Sequence, residues 1–433
     1  MHGSVVAFIA SIAAVALVAC ASPAPAPAPA PAPAQQPSAP APAAAPAPVK
    51  PAEAPAKAAQ APAKPAQQPA KPAAGGEAKV ITFAGVNALT AQSAPFGTRT
   101  QHGAELAAKL VNEAGGLTDS CGNKYTVRVT RGDMANDRNQ AIALMRGAAD
   151  SKDVLAVVGP TPSVGLVAMI PVAAQVKMPM LGMGVAPVKE WNPYAYRATF
   201  TVEIADTALL KKLHEKFKLD KLAILYDQTQ DMQAASSKVV QDKAKEIGYQ
   251  VVAAEAFRAG DQDFTTQLTK IKGTGVQWVG ILAATPELAK VSRQMRDLGI
   301  KANIFTGSST FQDPVAWDLS DGAIKDGYTW SPFDINSKDQ KIQDFVKAYK
   351  ASFADEPTVQ AVWGYDAILV ALDAVKRSCS NTDREKFIAA LGKTAYQGIG
   401  GKITFQNPPT GENQTPAIVV TRTTGRAEFE VVN

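Results

Sequence analysis

The sequence predicts an α/β protein of two Rossmann-like lobes, each built on a parallel sheet. Three observations carry that expectation. Beyond Gly75-Gly76, short apolar runs alternate with amphipathic helical stretches at a steady interval, the βαβ rhythm of parallel sheets. The series restarts after Tyr196 to Phe200. A later run of helices, from about Lys338 to Leu391, brings no strands of its own and must return to complete the first lobe.

The elements follow in order. Strand Val80 to Ala84 leads to a helix from His102 to Glu113, where Leu106, Leu110 and Val111 share a face and Gly115-Gly116 stops it. Strand Tyr125 to Val129, a helix from Arg138 to Ala149 and strand Val154 to Val158 come next. A helix then begins near Ser163, and Met178 to Leu181 supplies a further strand. The second series places helices at Ala205 to Phe217, Met232 to Ile247, Phe264 to Lys272 and Pro286 to Leu298. Between them stand strands at Leu222 to Tyr226, Gln250 to Phe257, Val276 to Leu282 and Asn303 to Thr306. Strand Gly327 to Trp330 precedes helices at Lys338 to Phe353, Val359 to Lys376 and Asp383 to Leu391, and Lys402 to Val432 is β-rich.

The amino end is of another kind. Val5 to Ala19 is an unbroken apolar or small-residue run, too short to span a bilayer, that ends in Leu17-Val18-Ala19-Cys20. It resembles a bacterial lipobox, which implies a signal peptide over residues 1–19 and a lipid-bearing Cys20 that anchors the mature chain to a membrane. An ordinary secretory signal cut after an Ala-x-Ala site is the alternative. From residue 20 to 78 the chain is largely Ala and Pro, with Lys50, Lys57, Lys64 and Lys71 in a seven-residue register. Nothing there can build a core, and polyproline II would let it reach on the order of 100 Å as a spacer. Of the formal charge of +5, residues 21–74 of this segment carry +3. The weakly charged remainder gives no support for nucleic-acid binding.

Several motifs of the folded part stand together: Gly85 to Thr90, Phe96-Gly97, Gly103 to Ala107, Asn112 to Gly116, Val157 to Pro160, Gly260 to Phe264 and Trp363 to Ala367. Over about residues 79 to 425 they resemble the branched-chain amino-acid binding proteins of ABC importers. The resemblance implies a type I periplasmic-binding-protein fold, with two lobes joined by three crossings and a ligand in the cleft between them, closing by lobe motion. By the family order, lobe one spans 79–199 with 332–396, and lobe two 200–331 with 397–433. An exported monomer that delivers its solute to a membrane permease is expected, and no enzymatic activity, cofactor or metal.

The site follows residue by residue from the same resemblance. The family's carboxylate-binding serine, at the start of a lobe-one helix, falls on Ser163, where a helix amino terminus and a neutral hydroxyl suit an anion. Ser163 is also a plain N-cap candidate. Backbone contacts are expected from Gly184 and Ala186, where the family's threonine is missing. The lobe-one tyrosine falls near Phe96. Two further aromatics of the family fall near Ala284 and Asp231, and the acid that meets the ligand's ammonium falls near Ser309. A buried ammonium without a carboxylate would be left uncompensated. Unless Asp231 substitutes, the ligand is expected to be an organic acid, aromatic or not, or an amide-like solute; Phe96, Trp191, Phe311 and Trp330 are candidate walls or core and surface filler. A sensing receptor not coupled to transport is the alternative function.

Cys121 and Cys379 both fall in lobe one, and an oxidising exterior permits a disulfide between them. Enzyme chemistry has little to work with. There are three His; His214-Glu215 is followed by Lys218 where a zinc-protease helix needs a second His, and Gly392-Lys393-Thr394 lacks the upstream Gly of a phosphate loop.

Overall fold

The computed structural model describes residues 79–405, 411–413 and 416–432; the expected signal peptide, Cys20 and the Ala/Pro segment lie outside them. The first series comprises β1 (Lys79–Asn87), α1 (Ala94–Glu113), β2 (Leu117–Thr118), β3 (Lys124–Asp133), α2 (Arg138–Asp150), β4 (Val154–Val158), α3 (Ser163–Val176), β5 (Met180–Gly182) and β6 (Ala195–Arg197). Its sheet runs β2-β3-β1-β4-β5-β6 and is parallel except at β2. Every residue of β4 is buried, which is why Val154 to Val158 reads as a continuous apolar run rather than an alternating one.

The second series comprises α4 (Val202–Phe217), β7 (Lys221–Asp227), α5 (Asp231–Asp242), α6 (Ala244–Ile247), β8 (Gln250–Phe257), α7 (Thr265–Gly273), β9 (Trp278–Leu282), α8 (Thr285–Asp297), β10 (Asn303–Phe305), a 3-10 turn (Ser309–Gln312), α9 (Pro314–Ser320) and β11 (Tyr328–Ser331). The chain then returns through α10 (Gln340–Phe353), α11 (Val359–Ser378) and α12 (Arg384–Leu391) to the first lobe. It ends in a hairpin, β12 (Ala395–Gly398) with β13 (Gly401–Thr404), followed by β14 (Val419–Gly425) and β15 (Glu428–Val431). The second sheet runs β15-β14-β11-β10-β9-β7-β8, with β14 and β15 antiparallel to their neighbours.

Besides the short β2 and the break of the helix read over Met232 to Ile247 into α5 and α6, the sequence reading departs from these elements in three places. The first helix starts at Ala94, not His102, because Pro95 sits in its first turn, where its missing N–H costs nothing, and because Gly97 is needed there: a Cβ on it would overlap the Ala88 carbonyl. The 3-10 turn and α9 were not expected, although Asp313 caps α9 through the Val315 N–H at 3.0 Å and Pro314 opens it. The β-rich end does not belong wholly to lobe two. The Arg197 N–H donates to the Gly411 carbonyl at 2.7 Å, and Phe405 packs on Tyr196, so this stretch lies along the β6 edge and only β14 and β15 join the second sheet.

Helices α1 and α11 pack backbone against backbone at two glycines. A Cβ on Gly103 would overlap the Ala361 carbonyl oxygen, and one on Gly364 the Thr100 carbonyl oxygen, so each helix presents a glycine to the other's backbone. Cys121, before β3, and Cys379, at the end of α11, form a disulfide across 258 residues with Cα atoms 5.8 Å apart. Beside it the Ser120 N–H donates to the Lys376 carbonyl at 3.0 Å.

Two outcomes are expected in urea denaturation. Gly364→Ala lowers stability by about 1–3 kcal/mol, because the overlap is with backbone that cannot turn aside. Reduction of the disulfide costs about 2–5 kcal/mol, because it releases a long loop in the unfolded chain.

Candidate ligand-binding site

Between the two lobes lies a cleft lined by residues of both. Its walls are mainly apolar: Phe96, Val164 and Met183 from the first lobe, Met232 and Trp330 from the second, and Trp363 from α11. The polar groups among them are neutral hydroxyls and amides, Thr161, Ser163, Gln233 and Gln360 included. Among the described residues, Asp231 is the one ionisable side chain on the lining.

The structure gathers Ser163, Phe96, Asp231, Ala284 and Ser309 around this cleft. Gly184 and Ala186 lie behind it. A Cβ on Gly184 would come within 2.8 Å of the Ser163 Cα, so the glycine lets this segment lie against α3. The Ala186 N–H donates to Ser163 Oγ at 3.0 Å and is engaged within the protein. Of the aromatic candidates, Trp191 packs on the buried Arg197 guanidinium, 5.3 Å from the ring centre, and Phe311 is buried in the second lobe's core. Phe96 and Trp330 are on the lining.

Ser163 is the first residue of α3, and the capping position before it is Pro162, whose side chain makes no cap. The first N–H groups of α3 have no intrahelical partner and bring the positive end of the helix to the cleft. Ser163 Oγ accepts from the Val185 N–H at 3.1 Å as well as from Ala186. A hydroxyl has two acceptor lone pairs and one proton. With both lone pairs engaged, what Ser163 has left to offer is a donor.

Three polar contacts join the lobes around the cleft. The Gln360 amide of α11 donates to Ser309 Oγ at 2.8 Å. Arg99 of α1 reaches Asp313 at 2.8 Å, with Asp355 3.0 Å away on its other side. Burial works against the Arg99 charge, but the two carboxylates more than offset it and hold the guanidinium above its ordinary value. At the mouth, Arg138 of α2 meets Asp231 of α5 at 2.6 Å.

A buried acid stands behind the wall. Asp206 of α4, 1 % exposed, accepts from the Trp330 indole N–H at 2.9 Å and from Ser236 at 2.5 Å, and so fixes the ring that faces the cleft. Burial pushes its carboxyl up to about 7 against the pull of those two hydrogen bonds. The sequence carried a signal for it that was passed over: Asp206 shares the helix face of Leu209, Leu210 and Leu213, an apolar register. Asp366 of α11 is its counterpart at a crossing, accepting the Ile399 and Gly400 N–H groups at 2.9 and 2.8 Å, and burial likewise raises it to about 7.

Among the described residues one group has metal-capable atoms close together, Asp119 with Cys121 and Cys379. Its sulfurs are bonded to each other. The Asp119 carboxylate accepts from the Cys121 and Asn123 N–H groups, the Asn123 amide and the Tyr125 hydroxyl. It organises a loop.

Two lobes of mixed but mainly parallel sheet, three crossings and a cleft between them define a type I periplasmic binding protein. The periplasmic binding protein family matches residues 80–426, and the chain belongs to it. It is therefore a solute-binding protein of an exported family, and among the described residues no helix is long and apolar enough to cross a membrane. It is similar to the Leu/Ile/Val-binding protein homolog 1 of Brucella abortus (strain 2308), 26 % identical over 363 residues that cover 80 % of this chain and 92 % of that one. A leucine binding protein from Thermotoga maritima has a TM-score of 0.72 at 24 % identity, covering 82 % of this chain and 98 % of its own. A solute-binding protein from R. palustris in complex with benzoate has a TM-score of 0.68 at 15 % identity, covering 82 % and 96 %.

The two raised carboxyls set a pH dependence. In the unfolded chain an Asp releases its proton near pH 4, whereas folded Asp206 and Asp366 hold theirs to about 7. Between those limits the unfolded state binds fewer protons, so stability falls as pH rises from about 4 to about 7. Asp206→Asn is expected to remove part of that fall, measured as the difference in urea midpoint between about pH 4.5 and 7.5.

Proposed function

We propose that this chain is the extracytoplasmic receptor of an ABC importer, held at the membrane by lipid on Cys20, and that its cleft takes a small organic or aromatic acid by its carboxylate. The observation that carries the ligand class is Ser163. Its hydroxyl has only a proton to give, at the amino end of α3, and both features favour an anionic oxygen. The apolar walls suit a hydrophobic body. An α-amino acid would need an anionic partner for its ammonium, and the carboxylate of Asp231 is already met by Arg138. Release to a permease that reads both lobes, by a monomer, completes the reading.

A second reading, delivery of a branched-chain amino acid, is favoured by the names of the curated relatives. Thermal-shift screening of the folded part against amino acids, aliphatic acids, aromatic acids and amides separates the two, because bound ligand raises the melting temperature by mass action. Acids are expected to give the shifts, and Ser163→Ala to weaken the best acid at least about tenfold by loss of a charge-assisted hydrogen bond. Shifts confined to amino acids contradict the acid reading.

A further inference from the structure

We propose that Arg138 sets the ligand class of the cleft: by pairing with Asp231 it cancels the lining carboxylate and places a cation at the mouth, so that a solute bearing an ammonium group is turned away. The inference rests on the cleft being the solute site, and it assigns the discrimination between acids and amino acids to a residue outside the lining.

The placement of Arg138 argues for this role. It is the first residue of α2, directly after the N-cap Asp137, whose side chain accepts from the Gln140 N–H. A cation at a helix amino terminus faces the positive end of the helix dipole, an unfavourable position for the helix itself. Asp231, by contrast, opens α5, where a carboxylate is well placed. What holds Arg138 where it is unfavourable for its own helix is the contact it makes on the facing lobe, Nη2 to Oδ2 at 2.6 Å.

The pair is half-open to solvent, with the Arg138 side chain 47 % and that of Asp231 32 % exposed, so its strength as a clamp is small. Its effect on selectivity is of a different kind. Asp231 lines the cleft together with Gln230 and Met232 of the same turn. With Arg138 in place, an ammonium approaching Asp231 also approaches a guanidinium, and like charges at short range offset what the carboxylate would give. Without Arg138, the same carboxylate becomes the anionic partner that an amino acid requires.

The test uses three solutes with one branched body: 4-methylpentanoate, leucine and isopentylamine, which carry a carboxylate, both groups, and an ammonium alone. Isothermal titration calorimetry is run on the wild type, Arg138→Gln, Arg138→Lys and the double variant Arg138→Gln with Asp231→Asn. Arg138→Gln is expected to shift the ratio of leucine to 4-methylpentanoate affinity at least about tenfold towards leucine, the size of a charge-assisted hydrogen bond, and to gain measurable isopentylamine binding. Arg138→Lys keeps the wild-type order, and the double variant returns to it. A loosened clamp would move all three affinities together and leave the ratio alone. A ratio unchanged within about twofold in Arg138→Gln, with no gain of amine binding, overturns the inference. Should none of the three bind the wild type, the acid reading fails for this body on its own account. Amine binding gained by Arg138→Gln then still supports the role of Arg138, and its absence refutes it.

Discussion

The arrangement of the two lobes depends most on the buried contact between Arg99 and Asp313. Arg99 belongs to α1 and Asp313 to the turn before α9, so the charges compensate each other only while the lobes stand as they do here. Loss of Arg99 would strip the buried Asp313 of this partner, whereas Arg99 keeps Asp355 on its other side. Thr285 at the head of α8 also reaches Asp313, which ties a third helix to the same point. With the Gln360–Ser309 and Arg138–Asp231 contacts, the Arg99–Asp313 pair holds the two walls of the cleft in this arrangement.

Around that point the cleft is electrically quiet and sterically defined. In this arrangement of the lobes its hydrogen-bonding groups are largely committed: Ser309 to Gln360, Ser163 to two amides, Asp231 to Arg138. Trp330 is held from behind by Asp206. Such a lining offers a hydrophobic body good contact and offers few polar groups, of which the Ser163 proton is the most directional.

Much of the fold was legible in the sequence because buried parallel strands are continuous apolar runs and glycines mark helix ends, as at Val154 to Val158 and Gly115-Gly116. What misled was glycine used for close approach. Gly97, which lies in the turn of α1 that the sequence reading left out, serves a backbone contact with Ala88. The same holds in the site, where Gly184 marks packing on α3 rather than contact with a solute. The residues that surround the cleft were named largely by family position. The groups that tune it, Arg99, Arg138 and Asp206, were not, because each acts on a partner far away in sequence: 214 residues for Arg99 with Asp313, 93 for Arg138 with Asp231, 124 for Asp206 with Trp330. A single sequence does not display such pairs. Only Asp206 left a local trace, an acid on an apolar helix face.

The central claim is that the cleft accepts an acid without an ammonium group. Its most direct test is native mass spectrometry of the protein taken undenatured from the cell envelope, followed by release and identification of the bound solute. One equivalent of a small carboxylic acid with no amino group is the result expected. Release of an α-amino acid as the bound solute would contradict it.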